Sequence, residues 1–203
     1  MKKMVPYISI FIVIINAIVF FYLELTGSTE DYIFLFEKGA LSVEAFFNEK
    51  RYYCILTSMF MHSGIDHILN NMFMLILLGS YIENKMGRIN YLSVYMLSGI
   101  FGSVISLLWD LYVTGEYSIS VGASGAVYGI MGAFLIFILS DKKMFAKVGI
   151  VRICLFLFVA LYCTSVDDAV NYVAHIAGFV FGCVATGLVI LFRKMRMKGE
   201  VGN

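Results

Sequence analysis

Six apolar stretches, each close to the length that crosses a bilayer, occupy most of this 203-residue chain. The hydrocarbon layer is about 30 Å thick, so a helix rising about 1.5 Å per residue needs about 20 apolar residues to span it. The stretches run from about Val5 to Leu25, Asp66 to Ile82, Ile89 to Tyr112, Ala123 to Leu139, Val148 to Tyr162 and Ala169 to Phe192. Hydrophobic residues make up 61% of the chain and the mean hydropathy is +0.87, whereas soluble domains run about 45–50% apolar. A soluble fold of this size has no interior large enough to hide that surface. The sequence therefore predicts an all-α integral membrane protein, a bundle of six transmembrane helices in a single domain over 1–203. Between the first two spans lies a first loop over about 26–65, and a short basic tail follows at 193–203.

Charge sets the expected orientation. With the N-terminus inside, the inner segments hold Lys2, Lys3, Lys85, Arg88, Lys142, Lys143, Lys147, Arg152, Arg193, Lys194, Arg196 and Lys198, which is 12 of the 15 basic residues. Only Lys38, Lys50 and Arg51 fall outside. Cytoplasmic loops carry such an excess of Lys and Arg, so both termini are expected in the cytoplasm. The basic start and long apolar run after it read as a retained first span, because no small-residue cleavage site precedes Glu24. The chain shows no internal repeat of the kind that builds inverted-repeat transporters. The four cysteines are scattered and read as small apolar residues, with a Cys54–Cys163 pair left open.

In this topology spans two, four and six all run from outside to inside, and each opens with its polar residues. His67 and Asn71 open the second, Ser124 the fourth and His175 the sixth. An ionisable side chain in a span is costly and usually functional. Ser124 stands in Gly122-Ala123-Ser124-Gly125 at a helix start, where free N–H groups and the helix dipole favour an oxyanion. Gly125 and Gly129 form a small-residue stripe, and Ala174, Gly178 and Gly182 form another on the helix of His175. Two such stripes bring helices close enough for a Ser–His hydrogen bond. Tyr128 lies one turn below Ser124, placed to pack on the imidazole. His67 and Asn71, four apart on one face, together with the Ser124 N–H, could line an oxyanion hole. His62 reads as a tie between loop and helix. Its spacing of five from His67 does not put two metal ligands on one face, and no metal is expected. Glu83 reads as structural, pairing with a base or capping a neighbouring helix. Asp167 and Asp168 precede His175, yet neither is expected to complete a triad.

Together these residues resemble the rhomboid intramembrane serine proteases. The resemblance rests on Thr57-Ser58-Met59-Phe60-Met61-His62, His67-Ile68-Leu69-Asn70-Asn71, Gly79-x-x-x-Glu83, Gly122-Ala123-Ser124-Gly125-Ala126-Val127-Tyr128-Gly129 and Ala174-His175-Ile176-Ala177-Gly178, in that order. It implies a Ser124 nucleophile, a His175 general base and then acid, and oxyanion donors at His67, Asn71 and the Ser124 N–H. Tyr128, Gly122, His62, Gly125 and Gly178 would support them. The implied substrates are single-span or multi-span membrane proteins cut near the outer face. No cofactor, nucleic acid or obligate partner is implied, and the location is a bacterial plasma (inner) membrane. The first loop would brace the bundle, and the fifth span with the loop after it (Phe156, Phe158, Tyr162) would gate it. One departure stands out: Tyr53-Cys54 replaces the family's frequent Trp-Arg, which removes a hydrogen-bonding fork and should weaken the first loop. A noncatalytic helix-binding relative and a transporter are the rivals. The first usually lacks the Ser or the His, and the second places polar residues at mid-membrane on broken helices.

Overall fold

A computed structural model describes residues 5–115, 118–165 and 171–201, with residues 157, 159–165 and 198–201 described by backbone alone. Lys2, Lys3, Glu116, Asp167, Asp168 and the side chains of Tyr162 and Cys163 therefore lie outside the described residues. Every apolar stretch becomes a helix. In chain order these are α1 (Tyr7–Thr26), α2 (Tyr32–Lys38), α3 (Cys54–Thr57), α4 (Ile65–Met86), α5 (Arg88–Thr114), α6 (Ser124–Ser140), α7 (Lys142–Val148), α8 (Ile150–Ser165) and α9 (Tyr172–Val201).

Among the described residues, α1, α4, α5 and Tyr172–Met197 of α9 are each long and apolar enough to cross a membrane. α6 joins them only together with α7, which bends away from it by 107°. α8 has 16 residues, short of a full crossing. Against the six spans expected, four helices among the described residues pass by length and composition, or five with the bent pair. Asp141 causes the bend: its carboxylate caps α7 by accepting from the Lys143 and Met144 N–H groups at 3.0 and 3.2 Å. Gly149, with φ +78°, then breaks the chain before α8, so the fifth helix starts later than the expected Val148. At the far end the expected basic tail is a continuation of α9 through Val201.

The core lies where α1, α4, α5 and α6 meet, around Leu75, Ile82, Tyr91, Tyr95 and Ile130, all buried. Glu83 ties its inner end together. Its carboxylate accepts from the Ile8 and Ser9 N–H groups at 3.1 and 2.8 Å and from Ser9 Oγ at 2.9 Å, capping the N-terminus of α1. Arg88 approaches the same carboxylate at 4.0 Å.

The first loop is folded and well tied down. Asp31 caps α2, Thr57 Oγ1 donates to the Gly39 carbonyl at 2.7 Å, and Leu41 exchanges backbone hydrogen bonds with Ser120. Arg51 lies close to the Tyr53-Cys54 departure and makes contacts of its own. Its guanidinium donates to the Phe36 carbonyl at 2.8 Å, lies 4.3 Å from the Phe36 ring centroid and pairs with Glu49 at 2.6 Å. Arginine supplies such a fork from any position whose reach allows it. Cys54 is a buried free thiol, its acidity suppressed by burial.

Candidate active site

The site is made by a contact between two backbones. A Cβ on Gly178 would overlap the Gly125 carbonyl, one on Gly182 the Gly129 carbonyl, and one on Gly132 the Phe179 carbonyl. Side chains larger than hydrogen are excluded along this line, so α6 and α9 approach until main chain meets main chain. α5 crosses α9 in the same way, where a Cβ on Gly102 would stand 2.7 Å from the Ala174 oxygen.

That approach puts His175 Nε2 2.6 Å from Ser124 Oγ. Ser124 is the first residue of α6 and is half-buried, whereas His175, one turn into α9, is buried. The Tyr128 ring stacks on the imidazole, centroids 4.4 Å apart and planes within 9°, which fixes the ring's plane. His175 Nδ1 has no hydrogen-bond partner among the described residues.

The chain reaches Ser124 through a turn only glycine adopts readily. Gly122 has φ +128°, and its N–H donates to the Ser58 carbonyl at 2.9 Å. A Cβ at Gly122 would stand 2.8 Å from His67 Cε1 and Nε2 and 3.5 Å from Ser124 Oγ. His67 therefore flanks the turn on the same side as the serine. Ser63 Oγ holds His67 Nδ1 at 3.0 Å. The N–H of Ala123 is taken by His62 Nε2 at 3.4 Å, leaving the first N–H groups of α6 as its open, partly positive end.

Asn71 is buried on the same face as His67, but its Nδ2 donates to the His67 carbonyl at 2.9 Å, so in this state its amide faces its own helix. Asn70 is exposed. Among the described residues no three His, Cys, Asp or Glu side chains converge as metal ligands would. Buried beside His67, at ring centroids 5.1 Å apart, the His62 imidazole is pushed down to about 3, first by burial and then by the neighbouring imidazole.

Sequence reasoning passed over Asn171. Its Oδ1 accepts from the Ala174 N–H at 3.0 Å, and its Nδ2 donates to Ser106 Oγ at 2.6 Å and Ser120 Oγ at 3.0 Å. A signal was present: Asn is a favoured N-cap, and it stands directly before the apolar run of α9. The roles of Ser58, Ser63, Ser106 and Ser120 depend on distant partners and leave no local signal.

The Rhomboid domain model matches residues 49–192. This chain belongs to the rhomboid family. It is 35% identical over 156 residues to RHOMBOID-like protein 2 of Arabidopsis thaliana, covering 76% of this chain and 47% of that protein. RHOMBOID-like protein 1 of the same plant is 32% identical over 156 residues, covering 76% of this chain and 39% of that one. Rhomboid protease GluP of Bacillus subtilis (strain 168) is 28% identical over 186 residues, covering 90% of this chain and 35% of GluP. The chain spans less than half the length of these relatives. The family includes intramembrane serine proteases, and this rhomboid is an integral membrane protein.

Proposed function

We propose that this rhomboid is a serine endopeptidase that cuts transmembrane segments of other membrane proteins near the outer face. The observation that carries the reading is the 2.6 Å hydrogen bond between Ser124 Oγ and His175 Nε2 at the open N-terminus of α6. Ser124 Oγ attacks the carbonyl carbon of the scissile peptide as His175 Nε2 takes its proton. The same nitrogen then protonates the departing amine. A water, giving its proton to His175, hydrolyses the acyl-enzyme and restores the serine.

The tetrahedral oxyanion forms beside the first turn of α6, within reach of the Ser124 N–H and the helix dipole. His67, and Asn71 once its amide turns from the His67 carbonyl, complete the donor set. Tyr128 holds the imidazole plane, so a Ser–His pair serves without a carboxylate. Gly122 aims the serine, Gly125 and Gly178 bring the helices together, and His62 fixes Ala123. No cofactor takes part. The chain crosses the membrane six times with both termini in the cytoplasm, the shorter α8 completing the set, and it works in a bacterial inner membrane.

The test uses protein in liposomes with a tagged transmembrane substrate and a fluorophosphonate probe. Wild type is expected to cleave and to be labelled. Ser124→Ala and His175→Ala are expected to lose both, by at least about 10⁴-fold in turnover, with folding retained. A well-folded wild type that neither cleaves nor labels would overturn the reading in favour of a helix-binding protein.

A further inference from the structure

Asn171 is where three parts of the site meet. The residue is half-buried at the first turn of α9, four positions before His175. Its backbone carbonyl accepts the His175 N–H at 3.2 Å, and its Oδ1 accepts the Ala174 N–H at 3.0 Å. One side chain and one carbonyl thus satisfy the N–H groups that would otherwise let this turn fray, the turn that carries the candidate base.

The other end of the amide faces away from α9. Its Nδ2 donates to Ser106 Oγ on α5 and to Ser120 Oγ on the strap leading into Ser124. Ser120 is itself locked to the first loop, its N–H donating to the Leu41 carbonyl at 2.8 Å and its carbonyl accepting from the Leu41 N–H at 3.0 Å. Both hydrogens of the amide and its oxygen are therefore used, each toward a different element. The glycine contacts fix how closely α6 and α9 approach, but a glycine seam has no side-chain teeth to stop one helix sliding along the other. Asn171 supplies that stop at the outer rim.

We propose that Asn171 is a positioning residue for the Ser124–His175 pair, a latch joining the start of the histidine helix to the strap before the serine. This rests on the protease reading above. A hydrogen bond of 2.6 Å tolerates little drift, and a displacement of about 1 Å at a reacting pair costs up to about 100-fold in rate. The latch hydrogen bonds all run within the protein, so their loss is expected to act on turnover and to leave docking alone.

Three variants separate the parts. Asn171→Ala removes cap and latch, Asn171→Asp keeps the cap oxygen and loses the Nδ2 donor, and Ser106→Ala with Ser120→Ala keeps the cap and removes the acceptors. Ser9→Ala, which loses a bond to Glu83 at the opposite end of the bundle, serves as a control of lowered stability. The readouts are the rate of fluorophosphonate labelling, kcat and KM on the tagged substrate, and Tm, all in the same liposomes. Asn171→Ala is expected to lower labelling and kcat by about 30-fold, and the double serine variant by about tenfold, with KM within about twofold. Asn171→Asp should recover part of the loss by keeping the cap. Ser9→Ala should lower Tm while labelling at the wild-type rate. The latch is overturned if Asn171→Ala and the double serine variant both label as fast as wild type, or lose no more than Ser9→Ala at equal loss of Tm. A wild type that does not label overturns the protease reading itself, and the latch with it.

Discussion

α9 and α8 are neighbours in sequence and opposites in packing. α9 meets α6 backbone to backbone, with Gly178 and Gly182 against the carbonyls of Gly125 and Gly129. α8 leaves Val151, Leu155 and Phe158 exposed, at 77%, 59% and 64%. Among its described side chains, the buried Ile153 and an edge-on contact of Phe156 with Phe134, ring centroids 5.6 Å apart, face the bundle. Lipid tails are as apolar as leucine, so in a membrane an exposed aliphatic face drives no association, and close packing has to do so instead. The pair that needs sub-ångström placement sits on the tightly packed seam. α8, loosely packed through its described side chains, contacts α6 beside that seam, where the protease reading proposed above would put a gate.

The contrast breaks most visibly at the seam. Gly178→Leu would drive four carbons into the Gly125 carbonyl, and the expected cost is about 3 kcal/mol of stability, with labelling of Ser124 lost. Unchanged Tm and labelling would mean that the seam is wider than described. Phe156→Ala tests the other side. Removing one edge-on ring contact should cost about 1 kcal/mol, and, if α8 is the gate that the protease reading implies, cleavage should not fall. A folded Phe156→Ala protein that no longer cleaves would make α8 part of the rigid site and erase the distinction.

The seam was legible in the sequence because small residues at spacing four carry their meaning locally: Ala174, Gly178 and Gly182 on one helix, Gly125 and Gly129 on the other. The helices themselves were legible from hydropathy, within a few residues at most ends. The parts that escaped depend on distant partners. Arg51 finds the Phe36 carbonyl and ring only because the fold of the first loop brings them to it. Asp141 bends the chain because its carboxylate turns back to cap α7, a choice between two helix continuations that hydropathy does not register. Asn171 needed Ser106 and Ser120, 65 and 51 residues away, before its two donors meant anything. Asn71 lies on the expected face, yet its amide is turned to the His67 carbonyl, which spacing alone could not reveal.

The smallest effect expected comes from the pin at the Ser124 end of the seam. His62, just before α4, accepts the Ala123 N–H on Nε2 and is buried beside His67. Protonation would set an N–H against an N–H in a dry pocket, so the folded protein holds this imidazole neutral, at about 3 against 6.5 for the free side chain. The unfolded chain therefore binds more protons between those values, and stability rises with pH across that window. The contribution is complete above about pH 7 and is lost as pH falls toward 3. Between pH 7.5 and pH 6 the loss from this group is on the order of 1 kcal/mol. Gln at position 62 has no proton to gain, so the difference in unfolding free energy between wild type and His62→Gln reads the His62–His67 pair and cancels groups remote from it. That difference should shrink by this amount over the interval. A difference constant with pH would mean that His62 is solvated, and that the turn into Ser124 is held by Gly122 and the Ser58 carbonyl without it.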